Sequence, residues 1–90
     1  MSQEYNGWTN YETWLVNLWL TNEEYSDSVL REIANNGERR DYRKEELKNF
    51  VEDVILGVYD GHASLKQDLL GAVMSMVNWY EIIDNHTEQE

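Results

Sequence analysis

Three of the four tryptophans of this chain, Trp8, Trp14 and Trp19, fall within a dozen residues, in the segment Tyr5-Asn6-Gly7-Trp8-Thr9-Asn10-Tyr11-Glu12-Thr13-Trp14-Leu15-Val16-Asn17-Leu18-Trp19-Leu20. Rings at that density are either buried together or offered to a partner. The alternative matters because a chain of 90 residues buries only about 60 to 65% of its unfolded surface, so its core must be assembled from large side chains. Eleven aromatics and a hydrophobic content of 41% supply the volume, and 28% charged residues is ordinary for a folded chain. One helical domain over 1–90 is expected, with a short flexible N-terminal arm and a polar C-terminal tail from Asn85 to Glu90.

Proline is absent, so nothing forbids long helices, and the turn signals cut the chain into four. Thr9 is placed to cap a first helix with Glu12 completing a capping box, and Tyr11, Trp14, Leu15, Leu18 and Trp19 follow at helical spacing as the expected core face. Val16 and Leu20 point partly elsewhere. This helix is apolar over more than half its girth, which makes it either the most buried helix or one whose second face meets another molecule. Asn22 is expected to start a second helix with Tyr25, Val29, Leu30 and Ile33 inward, ended by Asn35-Asn36-Gly37. A third, central helix is predicted over Asp41 to Tyr59, carrying Leu47, Phe50, Val51, Val54, Ile55 and Val58, with Asp60-Gly61 closing it. Ser64 and Gln67 announce a fourth, with Leu65, Leu69, Ala72, Val73, Met76, Tyr80 and Ile83 on one face. Short loops favour antiparallel neighbours, so the fold class is all-α, a compact bundle of about four helices. Trp8, just before the Thr9 cap, is expected to pack as a hydrophobic staple on Thr13 or Trp14, with Asn6-Gly7 as a turn.

Catalytic equipment is not visible. His62 and His86 lie in a loop and in the tail, away from any helical metal-pair spacing, and read as exposed and idle, so no metal is expected. Ser26, Ser28, Ser64 and Ser75 lack nucleophile-elbow glycines, and there is no glycine-rich phosphate loop. Gly57 and Gly61 have GxxxG spacing but read as a helix end or a close crossing. Glu45/Glu46 and Glu52/Asp53 are adjacent pairs that diverge by about 100° on a helix, unsuited to acid–base work. The expectation is a non-enzyme without cofactor. Cysteine is absent, excluding disulfides and thiolate metal sites. No apolar run approaches the roughly 18 residues of a membrane span, and Met1-Ser2-Gln3-Glu4 lacks the basic start of a signal peptide, so a cytoplasmic location is expected and the Asn85-His86-Thr87 sequon reads as chance.

Charge is lopsided, with 18 acidic residues against 7 basic for a net of −11. Such a chain is repelled by nucleic acid and by anionic membranes. Arg39, Arg40, Arg43, Lys44 and Lys48 put five of the cations into ten residues near a helix start, where the dipole disfavours them. They are read as pairing with carboxylates of a neighbouring helix or of Glu45 to Glu52 one turn on; the alternative is a cationic spot for an acidic partner, or for the acidic second helix of another copy in a homodimer.

The stretch Tyr5 to Trp14, with core Asn10-Tyr11-Glu12-Thr13-Trp14, followed by Asn17-Leu18-Trp19-Leu20-Thr21-Asn22-Glu23, resembles the N-terminal signature of small uncharacterised proteins carried by phages, plasmids and other mobile elements. That resemblance implies a mobile-element origin and no known catalytic residues. By analogy, small acidic proteins of such elements inhibit host defence, as anti-restriction and anti-CRISPR proteins do. The expectation is therefore an acidic protein that binds a basic protein surface, with Glu23, Glu24, Asp27, Glu32, Glu45, Glu46, Glu52 and Asp53 as candidate contact residues. The intervening cations argue against a strict DNA mimic, whose carboxylates would have to follow about one charge per 1.7 Å of axis. The competing class is a structural or regulatory adaptor of the phage or plasmid.

Overall fold

The computed structural model describes residues 5–55, 57 and 65–88. They are mainly helical: α1 (Tyr11–Asn22), α2 (Glu24–Ala34), α3 (Arg40–Phe50) running on into a π turn (Val51–Ile55), α4 (Leu65–Met74) and α5 (Trp79–His86). The all-α expectation holds, with five helices where about four were expected. Helices α2 and α5 share the centre, packing on each other and each also on α1 and α3. The core is Leu20, Leu30, Ile33, Ala34, Leu47, Val51, Met74, Val77, Trp79, Ile82 and Ile83, edged by Trp8, Val16, Val29 and Phe50. Leu30, Leu47, Ile82 and Ile83 have no exposure at all, and each contributes about 1.5–3 kcal/mol by leaving water.

The expected fourth helix is two helices. Ser75 to Asn78 interrupt it, and Asn78 caps α5 by accepting from Glu81 N at 3.1 Å. The Trp79 indole donates to the Met74 carbonyl at 3.2 Å, serving the freed C-terminal end of α4. At the other end of the chain the cap of α1 is Asn10, not Thr9: its side-chain oxygen accepts from Thr13 N at 2.9 Å and from the Thr13 hydroxyl at 2.6 Å. These two helix starts lie side by side and complete one another. Asn10 Nδ2 donates to Met76 O at 2.7 Å, and Asn78 N donates to the Thr13 hydroxyl at 2.9 Å. Thr9 N donates to Glu81 Oε1 at 3.0 Å, and Asn78 Nδ2 to the Thr9 hydroxyl at 3.2 Å. In an ordinary capping box the third helical residue reaches back to its own cap. Here Thr13 and Glu81, each the third residue of its helix, reach the other helix as well: Glu81 accepts from Thr9 N, and the Thr13 hydroxyl donates to its own cap while accepting from Asn78 N. The Asn10 side chain accepts inside α1 and donates across to Met76, while the Thr9 hydroxyl is taken up by Asn78.

This crossing turns α1 over. Its buried residues are Thr13 and Leu20, with Val16 and Asn17 half-buried, a set at i, i+3, i+4 and i+7 that shares one helix face. The expected core stripe faces the other way: Trp19 is 65% exposed, Tyr11 45% and Leu18 42%, while Trp14 and Leu15 are half-buried. Its helical period was right and its direction was not, because a hydroxyl at position 13 finds partners inside. From Tyr5 on the arm folds back on itself. Asn6 (φ 49°) and Gly7 (φ 87°) make the two-residue turn that Asn-Gly favours, with Tyr5 and Trp8 exchanging backbone hydrogen bonds of 2.9 and 2.8 Å. Trp8 packs on the core, and it is Tyr5 that covers Trp14 and Tyr11, at ring separations of 4.8 and 5.1 Å. The staple falls to Tyr5.

Two other boundaries move. Asn22 closes α1 instead of opening α2; Glu23 turns the chain at ψ 133°, and the buried Ser26 hydroxyl donates back to Leu20 O at 2.7 Å across the break. The long third helix stops being α-helical at Phe50, loosens into the π turn, and cannot run through Gly57, whose φ is +58°. Helix α3 is therefore not the central one. The expected apolar residue Val58, the closing pair Asp60-Gly61, and Ser64 of the expected capping box lie outside the described residues.

Leu20→Ala should cost about 2–5 kcal/mol, whereas Trp19→Ala should stay within about 0.5 kcal/mol, both read from urea unfolding in dilute solution. Thr13→Val, which keeps the volume and the backbone bond to Asn10 Oδ1 but strands Asn78 N, should cost about 1–3 kcal/mol in the same measurement. A larger cost at Trp19 than at Leu20 would reinstate the expected stripe as core.

A candidate interaction surface

The acidic candidates sit on α2, α3 and the π turn. On α2, Glu23, Glu24 and Glu32 are exposed, while Asp27 is partly covered and paired with Arg31 at 3.0 Å. The second carboxylate oxygen of Asp27 is buried without a hydrogen-bond partner, a cost only partly offset by that ion pair. On α3, Glu45 accepts from Lys44 at 2.7 Å, which holds its carboxyl below the ordinary range, and Glu46 accepts from Asn36 at 2.8 Å. Glu52 is half-buried and Asp53 exposed in the π turn. Of the eight, Glu23, Glu24, Glu32, Glu46 and Asp53 thus stand exposed and outside every ion pair found among the described residues, Glu46 being held only by the Asn36 amide. Arg31 and Lys44 interrupt the acidic rows, as the sequence indicated.

The basic run is committed internally. Arg40 grips Asp84 of α5 with both arms, Nε to Oδ1 at 2.9 Å and Nη2 to Oδ2 at 2.6 Å, and lies 4.3 Å above the Tyr80 ring. Hydrogen bonding to Asp84 raises the Arg40 pKa, and the same bond lowers that of Asp84. Arg43 serves the C-terminal end of α2, donating to Ala34 O at 2.6 Å and Glu38 O at 2.8 Å, and reaches the Thr87 hydroxyl at 3.2 Å. Lys44 is raised by its bond to Glu45. The cations at the start of α3 are there for the end of α2 and for α5, which explains a position that the dipole of α3 disfavours. Pairing with a carboxylate of a neighbouring helix is borne out at Arg40, and pairing with Glu45 at Lys44; Arg39 meets Asp41 two residues on, and Arg43 serves backbone carbonyls.

The polar C-terminal segment is hydrogen-bonded as far as Glu88. Asn35 donates to His86 O at 3.0 Å and accepts from Glu88 N at 2.7 Å; the Thr87 hydroxyl bonds Ile83 O at 2.7 Å. His86 is half-buried against α1, its Nε2 lying 2.8 Å from Asn17 Oδ1. Burial, then the charge of Arg31, push its pKa down, and Asp27 opposes them only in part. An idle, exposed His86 was the expectation, and packing against Asn17 corrects it; His62 lies outside the described residues. Among the described residues no three His, Asp or Glu side chains gather as a metal site, and no helix is long and apolar enough to cross a membrane.

A second surface was hidden by the expected direction of α1. Its outward face and α4 border an apolar cleft of about 380 Å³, lined by Leu15, Val16, Trp19, Leu20, Val51, Leu70, Val73 and Met74. The signal was present in the sequence: a helix apolar over more than half its girth has two faces to place, and the core took the one bearing Thr13.

The chain belongs to a family of unknown function (DUF7249), whose model matches residues 1–89. No curated protein and no solved structure matches it.

Both His86 and Asp84 have pKa values depressed in the fold, so each stabilises the protein above its unfolded value and loses that contribution as pH falls. Stability should begin to drop below the ordinary imidazole value of 6.5 and drop again below the ordinary carboxyl value of 3.8. In urea midpoints measured against pH, His86→Gln should abolish the first step and spare the second. An unchanged first step would remove His86 from this role.

Proposed function

We propose that this chain is a non-enzymatic binding protein that offers the exposed carboxylates of α2 and the π turn to a cationic protein surface. In the form that the mobile-element resemblance implies, it inhibits a host defence protein, a CRISPR effector or a restriction enzyme, by occupying the surface where that protein binds nucleic acid. The observation that carries the reading is the unequal use of charge. Arg31, Arg39, Arg40 and Lys44 are engaged in ion pairs with the chain's own carboxylates, and Arg43 in hydrogen bonds to backbone carbonyls, while Glu23, Glu24 and Glu32 remain exposed around one short helix. With a net of −11, the outward field attracts basic surfaces and repels phosphate backbones.

Tagged full-length chain should capture a nuclease or effector complex from host extract at low salt and release it as salt rises. Duplex DNA should compete for the same captured protein. The double substitution Glu24→Lys with Glu32→Lys should weaken capture by roughly tenfold or more, since it sets like charges against each other. Capture that ignores salt, or a partner that holds DNA and this chain together, would remove the inhibitor reading; capture of phage or plasmid proteins instead would establish the adaptor.

A further inference from the structure

Asparagine stands before glycine at two places in this chain, Asn6-Gly7 and Asn36-Gly37. Such a pair can react with itself, because a glycine has no side chain to keep the asparagine amide away from its backbone nitrogen. The two sites are built differently. Asn36 is held at both ends of its amide, Nδ2 donating to Glu46 Oε1 at 2.8 Å and Oδ1 accepting from Glu38 N at 2.8 Å. Asn6 is exposed at the tip of its hairpin, and among the described residues neither its side chain nor Gly7 N enters a hydrogen bond. Space does not separate the sites, since a Cβ on either glycine would meet nothing within 4 Å. Hydrogen bonding does.

We propose that Asn6-Gly7 is a site of spontaneous covalent modification, in which Asn6 is converted to isoaspartate and Tyr5 is thereby released from Trp14 and Tyr11. Gly7 N gives its proton to solvent base and attacks Asn6 Cγ. An N–C bond forms, the Cγ–Nδ2 bond breaks, and ammonia leaves with a proton from water. Water then opens the cyclic imide at either carbonyl. Opening at the former backbone carbonyl leaves the chain running through the side chain of position 6, as isoaspartate; opening at the other gives ordinary aspartate. Water is the only co-reactant, and nothing is oxidised or reduced. The attack requires the turn to loosen, and the bonds that tie it are the two between Tyr5 and Trp8, of 2.9 and 2.8 Å. Opening them breaks none of the cap bonds of α1.

The consequence follows from the turn itself. Positive φ at Asn6 (49°) and Gly7 (87°) lets two residues reverse the chain and pair Tyr5 with Trp8. Isoaspartate puts an additional carbon into that reversal, so the paired bonds fall out of register. Tyr5 then loses its place 4.8 Å from the Trp14 ring and 5.1 Å from that of Tyr11. Aspartate leaves the backbone and the turn unaltered. Both products add one negative charge to a net of −11, so charge cannot be what distinguishes them.

The full-length chain, held in warm, mildly alkaline buffer, should release ammonia and gain isoaspartate. Peptide mapping by mass spectrometry should find conversion at position 6 faster than at position 36 by about tenfold or more, the factor that two hydrogen bonds to be given up impose on Asn36. The rate should climb with pH, because the attacking nitrogen must lose a proton, and Asn6→Gln, which would need a larger ring, should abolish the early product. The purified isoaspartate form should lose the near-UV circular dichroism of the Tyr5–Trp14 contact while keeping the far-UV spectrum. Asn6→Asp, with the same charge on an unaltered backbone, should keep both. Equal conversion at the two positions, or none at position 6, overturns the site. An isoaspartate form with the near-UV spectrum of the parent overturns the release of Tyr5, as does loss of that spectrum in Asn6→Asp, which would make charge rather than chain length the cause.

Discussion

Two helix starts pressed together are an electrostatic liability, since each carries about half a positive charge and a set of unpaired N–H groups. The junction of α1 with α5 resolves this with four side chains from opposite ends of the chain. Asn10 and Asn78 satisfy their own helices, Thr13 and Glu81 satisfy each other's, and the Glu81 carboxylate sits where both positive ends converge. Much else depends on that junction. It breaks the run from Leu65 onward into α4 and α5, frees α5 to join α2 at the centre, and rotates α1 so that Thr13 rather than Tyr11 faces inward.

That dependence explains what the sequence could and could not say. Helical periodicity, the absence of proline and the Asn35-Asn36-Gly37 stop gave the fold class and the end of α2, because those signals are local. Asn6-Gly7 gave its turn for the same reason. The direction of α1 was not local: counting apolar residues ranks Tyr11, Leu18 and Trp19 above Thr13 and Asn17, yet both polar residues find partners more than sixty positions away, in Asn78 and His86. A buried polar group is expensive only until it is paired. The break at Asn78 was legible in principle, since Asn followed three residues later by Glu is a helix start; the apolar stripe running through it concealed the signal. Among the candidate contact residues, exposure of Glu23, Glu24 and Glu32 followed from their helix face, whereas the engagement of Asp27, Glu45 and Glu46 depended on which neighbour came within reach.

Polar chemistry on the opposite side follows the same economy of few cations. Arg40 and Arg43 tie α3 to α5 and to the end of α2, and Asn35 joins that end to the segment after α5. A chain with 7 basic residues among 90 has committed its guanidinium groups largely to its own architecture. The negative exterior is thus partly a by-product of how the fold is fastened, which gives it the same physical origin as the stability of α5.

The junction has one more consequence, for the order in which the molecule can form. Its bonds join Thr9 to Glu81 and Thr13 to Asn78, separations of 72 and 65 residues, and contacts that distant in sequence close slowly because the intervening chain must first be confined. During synthesis, α1 emerges before α5 with its cap, Asn10, already available, but the partners that decide which side of it turns inward arrive only with residues 76–81. Until then its tryptophan face and its threonine face compete for whatever apolar surface α2 and α3 present. The orientation of α1 is settled only once residues some 65 to 72 positions further along have been made.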